Sequence, residues 1–346
     1  MTRRCFARSP AGMATIELTT ERLELPLVHE FTIARGSENV ARTVAVRLHW
    51  NGRAGLGESA PIGRYGESSD SVMTALAAQR LHDDPYALDA QLAGLPPAAR
   101  CGLDIALHDL IGKDLDRPLY RLLGLEREAT PRTSFTLGIA PLTQTLAKVR
   151  AVGTHPILKI KLGRGSEIET IAAVRDAYAG TIRIDANEGW TPEQSVSLLT
   201  ELAHFDIEFC EQPIPAGTPE RLRWIRERSP IPIVSDEDSR DAGDLPALIG
   251  CVDGVNVKLV KCGGIRGALA MIHTARALGF KIMLGCMVES QILTTAAAHL
   301  SPLVDWADLD GPFLTADDPF DGIQYTDGKI VLPTGAGLGV RAKLPA

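Results

Sequence analysis

Leu158-Lys-Ile-Lys161, Ile182-Arg-Ile-Asp185 and Ile207-Glu-Phe-Cys-Glu211 are three short β-branched runs, each closing on a charge and separated by enough chain for one helix. The same texture extends in both directions. Ser134-Phe-Thr-Leu137 precedes them, and Pro232-Ile-Val-Ser235, Gly254-Val-Asn-Val-Lys258, Lys281-Ile-Met-Leu284 and Val304-Asp-Trp-Ala307 follow. Eight strands alternating with helices predict an α/β chain folded as a parallel barrel. Gly311-Pro312 after the eighth run leaves no room for a useful last helix, so the expectation is a modified (β/α)7β TIM-like barrel. Upstream, Ala14 to about His49 reads as strands, and Ser71–Leu81 and Ala98–Leu115 carry apolar residues at helical spacing, which together predict an α+β domain. Residues 319–346 hold a hairpin around Thr326-Asp327-Gly328 that could rejoin that domain.

A second pattern runs through the strand ends. Lys161, Asp185, Glu211, Asp236, Lys258 and Asp308 are separated by 24, 26, 25, 22 and 50 residues. Eight barrel units fill roughly 250 residues, so each interval is about one unit and the last is two. Charges in phase with the barrel collect on the face that carries catalysis. Taken singly, an acid at a strand-to-helix loop is a common helix cap. Three of them on consecutive strands, with no His or Cys, suit Mg2+, which takes hard oxygen ligands and leaves positions for substrate.

Lys159 and Lys161 share one face of their strand. An inward barrel face is normally apolar, so two lysines there are costly unless they work, although a lone Lys-x-Lys run would read as a solvated edge. Near a divalent cation, neighbouring ammonium groups depress each other's pKa and free an amine to act as a base. Lys258 ends the sixth strand across the barrel, so two lysines could address opposite faces of one carbon. That arrangement suits proton abstraction beside a carboxylate, with Mg2+ stabilising the enediolate.

Composition narrows the alternatives. With 36 basic and 43 acidic residues the 346-residue chain has a net charge of −7, which lacks the basic field a nucleic-acid partner needs. No apolar run reaches the ~18 residues of a membrane span. Arg3-Arg4 is followed by Cys5 to Pro10 and not by an apolar signal core, so export is not expected. The six cysteines are widely spaced without a CxxC pair, which fits reduced thiols in a cytoplasmic protein better than zinc or disulfides. Gly335-Ala-Gly-Leu-Gly339 has no βαβ unit after it, no HExxH is present, and Ser290 lacks a GxSxG elbow.

Five barrel motifs in order carry a resemblance, Leu158–Gly163, Asp185-Ala-Asn-Glu-Gly-Trp190, Glu211-Gln-Pro213, Ser235-Asp-Glu-Asp238 and Asn256–Gly264, joined by Ala106-Leu-His-Asp-Leu-Ile-Gly-Lys113 and Pro118–Gly124 in the first domain. Over nearly its whole length the chain resembles the enolase superfamily, in the muconate-lactonizing-enzyme-like subgroup, and within it the dipeptide epimerases of the L-Ala-D/L-Glu type. The pattern along the chain divides it into a disordered tail over 1–13, a first domain of residues 14–128 plus 319–346 and a barrel over 129–318, and the resemblance implies that the first domain is a capping domain and the barrel catalytic. It implies Asp185, Glu211 and Asp236 as Mg2+ ligands and Lys161 as one acid/base. The second is Lys258 or Lys261, and Lys258 is preferred because it directly follows Asn256-Val257 at the strand end. Lys159 would neighbour the substrate carboxylate, with Asn187 and Glu237 behind the ligands. Asp236-Glu237-Asp238 departs from the usual Asp-Glu-Ser.

The implied activity is 1,1-proton transfer at the α-carbon of a dipeptide's C-terminal residue, by a homo-oligomer. Asp308-Leu-Asp310 carries the subgroup assignment, because two carboxylates match a dipeptide's α-ammonium; Asp-x-Asp-Gly is also a turn signal. The alternatives are an N-acylamino acid racemase, a muconate-type cycloisomerase, or a non-catalytic metal-binding homologue. The resemblance places specificity in loops of the capping domain, here Phe31–Ser37 and Gly57–Tyr65. Arg35 is the expected partner of an acidic side chain, and Glu289 either admits a basic one or caps a helix.

Overall fold

The computed structural model describes residues 15–343, so the expected tail at 1–13 lies outside the described residues. The chain opens with an antiparallel sheet of β1 (Glu17–Ile33), β2 (Gly36–Trp50) and β3 (Arg53–Ser59). These strands are longer than their alternating patches, and they absorb the roots of both loops anticipated as specificity segments. A register shift between Pro26 and Phe31 bends β1. Three helices follow, α1 (Ser69–Ala78), α2 (Leu88–Leu92) and α3 (Pro97–Asp114), then one turn, α4 (Leu119–Leu122). A reciprocal Ser68/Ser71 capping box starts α1. Proline at the first position starts α3, whose Ala, Leu and Ile residues are buried nearly all round. This helix lies so close to β3 that a Cβ on Gly57 would come 2.1 Å from the Gly102 carbonyl oxygen.

The barrel then runs β4 (Phe135–Leu137), α5 (Leu142–Val152), β5 (Ile157–Lys161), α6 (Glu167–Ala177), β6 (Thr181–Asp185), α7 (Pro192–Leu202), β7 (Ile207–Glu211), α8 (Pro219–Arg226) and β8 (Ile233–Ser235). It continues through β9 (Gly254–Val257), the short α9 (Leu259–Cys262), α10 (Ile265–Ala277), β10 (Lys281–Gly285), α11 (Gln291–Ala298) and β11 (Trp306–Asp308). All neighbours pair parallel in sequence order, and a parallel bridge from Thr133 to Ala307 joins the two ends of the sheet. Between β8 and β9 a single 3-10 turn, Leu245–Leu248, stands where a helix would run, with Gly243 and Pro246 opposing regular helix. After β11 only α12 (Gly311–Leu314) forms.

The remaining segment folds back through β12 (Phe320–Asp321), the hairpin β13 (Gln324–Thr326) and β14 (Lys329–Val331), and β15 (Arg341–Ala342), which pairs β12. It bonds to residues early in the chain. Leu119 N donates to Gly337 O at 2.8 Å, Leu338 N to Asp109 Oδ1 at 2.8 Å, and Thr130 Oγ1 to Ile330 O at 2.6 Å.

Two buried acids fasten the first sheet and helices to the barrel by capping its helices across sequence. Asp104 of α3 accepts from Ile265 N at 2.5 Å, at the start of α10. Gly264, at φ +102°, makes room for that carboxylate, which a Cβ there would meet at 2.4 Å. Glu58 of β3 accepts from Ser290 N and Leu293 N, both at 3.1 Å, at the start of α11. Among the described residues no helix is long and apolar enough to cross a membrane.

Candidate active site

The barrel's parallel register places the charges side by side. Lys161 pairs with Asp185, and Asp185 with Glu211, across three neighbouring strands. Asp236 follows β8, Lys258 follows β9 in extended conformation, and Asp308 ends β11. Asp185, Glu211 and Asp236 are 1%, 0% and 3% exposed, so these charges must be answered from within the protein.

Lysines answer them. Lys159 Nζ is 2.6 Å from Asp308 Oδ2, 2.5 Å from Glu211 Oε2 and 3.3 Å from Asp185 Oδ2. Lys161 Nζ is 2.6 Å from Asp185 Oδ2, and Lys258 Nζ is 2.9 Å from Asp236 Oδ2. Lys261 donates to Asp236 Oδ1 and to the carbonyls of Asp236, Ser239 and Asn256. Burial alone would lower the pKa of Lys159, but Asp308, Glu211 and Asp185 outweigh it and hold the group well above the usual lysine range. Burial likewise opposes, and Asp236 and Glu211 reverse, the shift of Lys258, which also ends up raised. Several buried carboxylates thus face the one ammonium of Lys159 and keep it charged.

The carboxylates also act on one another. Burial, then the charge of Asp185, pushes Glu211 up to about 7. Burial and Asp236 push Glu237 up to about 8, and burial and Asp308 push Asp310 up to about 6.

This donor set fits Mg2+. Three buried carboxylates offer hard oxygens, and their orientation is fixed from behind: Asn256 Nδ2 donates to Glu211 Oε1 at 2.7 Å and Asn187 N to Asp185 Oδ1 at 2.8 Å. Gln212 Oε1 accepts from Asp236 N at 2.9 Å and Glu237 N at 3.1 Å. Glu211 Oε2 meets Lys159 as a charge contact off the hydrogen-bond direction and has no hydrogen-bond partner, leaving a ligand lone pair. Ammonium groups stand among the carboxylates, and among the described residues no three acids are already drawn to chelating separation.

A cavity of about 490 Å³ opens over these groups. Lys159, Lys161, Lys258, Asn187, Asp236, Glu237, Asp308 and Asp310 line its floor, whereas Lys261 does not reach it. Asp308 Oδ2 is taken by Lys159 and its Oδ1 by the Ser134 hydroxyl, while Asp310 Oδ2 accepts from Thr136 N at 2.6 Å. Phe31, Ile33, Arg35, Ile62, Arg64 and Tyr65 close the cavity from the first domain. Arg35, expected to face an acidic substrate group, has Glu188 Oε2 at 2.8 Å and Glu237 Oε1 at 2.7 Å on its Nη1. Glu289 is buried and absent from the cavity wall, accepting from Met287 N and Thr294 Oγ1, and Ser290 is the residue that caps α11. Sequence reading missed Glu188, Arg64 and Gln212. Glu188 and Gln212 stand inside quoted motifs, but nothing in their spacing signals their contacts.

The chain is similar to known proteins over nearly its whole length. Residues 13–124 match the mandelate racemase / muconate lactonizing enzyme N-terminal domain family, and residues 142–345 the enolase C-terminal domain-like family. An L-Ala-D/L-Glu epimerase from Bacteroides thetaiotaomicron is 39% identical over 335 residues, covering 94% of this chain and 88% of that protein. An L-Ala-D/L-amino acid epimerase from Pedosphaera parvula is 38% identical over 339 residues, covering 92% and 98%. The crystal structure of a dipeptide epimerase from Cytophaga hutchinsonii, complexed with Mg and D-Ala-L-Val, superposes with a TM-score of 0.89 at 31% identity, covering 96% of each chain. With both of its regions matched and its relatives aligned almost end to end, the chain belongs to the enolase superfamily, in the mandelate racemase / muconate lactonizing enzyme branch that contains the dipeptide epimerases.

Proposed function

We propose that the protein is a Mg2+-dependent dipeptide epimerase, an isomerase that inverts the α-carbon of the C-terminal residue by two-base proton transfer. The observation that carries this reading is the placement of Lys161 and Lys258. They stand at the ends of β5 and β9, with three strands between them that bear the carboxylates, and both line one cavity. One lysine, as the free amine, takes the α-proton, and the ammonium of the other delivers a proton to the opposite face. The reverse reaction exchanges their roles.

Asp185, Glu211 and Asp236 would hold Mg2+, which when bound supplies the positive charge that stabilises the carboxylate's second negative charge as the α-proton leaves. Lys159, buried in the cavity floor, adds a fixed cation on the same side. Asp308 and Asp310, both lining the cavity, offer carboxylate oxygens to a dipeptide's α-ammonium, a match that a substrate lacking the ammonium would not need. Asn187 steadies Asp185 through its backbone N–H, and Glu237, next in sequence to Asp236, faces the cavity paired with Arg35.

The test is incubation with a panel of L-Ala-L-Xaa dipeptides in D2O with Mg2+, followed by mass spectrometry for α-deuteration. Deuteration of the C-terminal residue, abolished by EDTA and restored by Mg2+, is expected. Exchange confined to N-acylamino acids would replace this reading with a racemase. No exchange with any substrate would leave a non-catalytic metal-binding homologue.

A further inference from the structure

We propose that Glu188 is a positioning residue that clasps both cavity-closing segments of the first domain onto the barrel. Its carboxylate accepts from Arg35 Nη1 at 2.8 Å and from Arg64 Nε at 2.9 Å on one oxygen. The other oxygen accepts from Arg64 Nη2 at 2.7 Å and from Ala216 N at 2.8 Å. Arg35 lies in the β1–β2 connection, and Arg64 in the 3-10 turn Gly63–Tyr65. These segments are separate in sequence, both line the cavity, and both converge on one barrel side chain. Glu188 itself does not line the cavity, so it acts through the two arginines and not on a substrate.

The backbone supports this assignment. Asn187 and Glu188 both adopt left-handed conformations, φ +44° and +67°, which non-glycine residues avoid unless their surroundings enforce them. Glu188 N donates to Gln212 O at 2.9 Å, and the turn is closed by Gly189 N donating to Ala186 O at 2.9 Å. That turn lifts the carboxylate toward the first domain from directly behind Asp185. The side chain is 6% exposed, whereas those of Arg35 and Arg64 are 35% and 41% exposed, so the anchor is fixed and the groups it holds are the ones free to leave. Arg64 meets it through two parallel N–H···O contacts, the geometry that gives a guanidinium–carboxylate pair its directional strength.

The kinetic part of this proposal rests on the epimerase reading, and the structural part does not. The variants are Glu188→Gln, Arg64→Gln and the double substitution, each compared with wild type by trypsin digestion followed by mass spectrometry. In Glu188→Gln, cleavage after Arg35 and Arg64 should accelerate about tenfold, as expected for losing hydrogen bonds to a charged group, with cleavage after the exposed Arg228 unchanged. In Arg64→Gln, cleavage after Arg35 should also accelerate. With an active dipeptide, KM should rise by a similar factor while kcat stays within about twofold, and the double variant should be no worse than the worse single one. Unchanged cleavage after Arg35 and Arg64, equal acceleration after Arg228, or a fall in kcat at constant KM would each overturn the clasp. If wild type exchanges no dipeptide, the functional reading fails and digestion alone decides the clasp.

Discussion

Lys261 Nζ lies 2.5 Å from Asp236 Oδ1, on the opposite oxygen of the carboxylate that Lys258 approaches at 2.9 Å. Two lysines from consecutive turns of chain therefore hold one acid, but they are not equivalent. Lys261 is also bonded to three backbone carbonyls and has no N–H left for a substrate. Lys261→Met is expected to lower stability by about 3 kcal/mol, because it strands buried acceptors. Urea unfolding reads that loss, and the folded fraction should still exchange the α-proton of both epimers.

Lys161 and Lys258 should behave differently. Lys161→Ala should lower α-deuteration of one epimer by about 10²- to 10⁴-fold, the range of general acid–base catalysis, and spare the other. Lys258→Ala should show the mirror preference. Separate D2O incubations of L-Ala-L-Xaa and L-Ala-D-Xaa measure both, and equal loss in both directions for each variant would remove the two-base assignment.

Asp310 reports on substrate class. Burial and the neighbouring Asp308 raise its pKa to about 6, so an ammonium brought beside it would be bound by a carboxylate that gains from the pairing. Asp310→Asn is expected to reduce kcat/KM for dipeptides by about tenfold or more, as for a lost hydrogen bond to a charged group. The same substitution should affect an N-acylated substrate much less, so the ratio of the two kcat/KM values is the quantity to measure.

His299 makes stability depend on pH. Burial lowers its pKa from 6.5 to about 4, with Tyr120 N donating to Nδ1 at 3.3 Å and Nε2 lying 3.0 Å from Leu338 O. The neutral ring satisfies both contacts as acceptor and donor. Because the folded-state pKa is depressed, the unfolded chain binds the proton more readily. Stability is fully present above about pH 6.5 and falls by up to about 1.4 kcal/mol per unit as pH drops toward 4. Denaturant unfolding at pH 5 and 7.5 should show a smaller difference for His299→Gln than for wild type.

Gly57→Ala tests the closest approach of β3 to α3. The added Cβ would meet the Gly102 carbonyl oxygen at 2.1 Å and Ala106 N at 2.7 Å, both backbone atoms that cannot rotate away. A loss of about 1–3 kcal/mol is expected, measured as a lower unfolding midpoint.

The barrel was legible because its strands announce themselves twice, by β-branched runs and, at all but β4 and β10, by a charge at or just past the strand end, at a nearly regular interval. That periodicity located Lys161, Asp185, Glu211, Asp236, Lys258 and Asp308 at strand ends or just beyond. The three-stranded sheet was harder to read, since β1 passes through Pro26, His29 and Glu30 with a register shift and loses its alternation. Glu188 was invisible as a contact, because its partners Arg35 and Arg64 come from sequence positions more than a hundred residues away, in connections of the first domain. Asp104 and Glu58 look like ordinary charges within a helix and a strand, and only the docking of the two layers shows that they cap α10 and α11. Local pattern reveals an element and its phase, whereas contacts across elements need their relative placement.

The C-terminal return has a consequence for biosynthesis. Thr130 waits for Ile330, 200 positions later, and Leu119 for Gly337. At a translation rate of about 5–20 residues per second, the nascent chain spends ~10–40 s with those early groups lacking their native partners. During that interval the emerging barrel strands have no closed cylinder to join, because Ala307 is made long after Thr133, its partner at the seam. A message cut short after codon 318 would release a chain that keeps its catalytic constellation and the Asp104 and Glu58 caps but lacks every partner supplied by the C-terminal return, a natural substrate for chaperones and proteases.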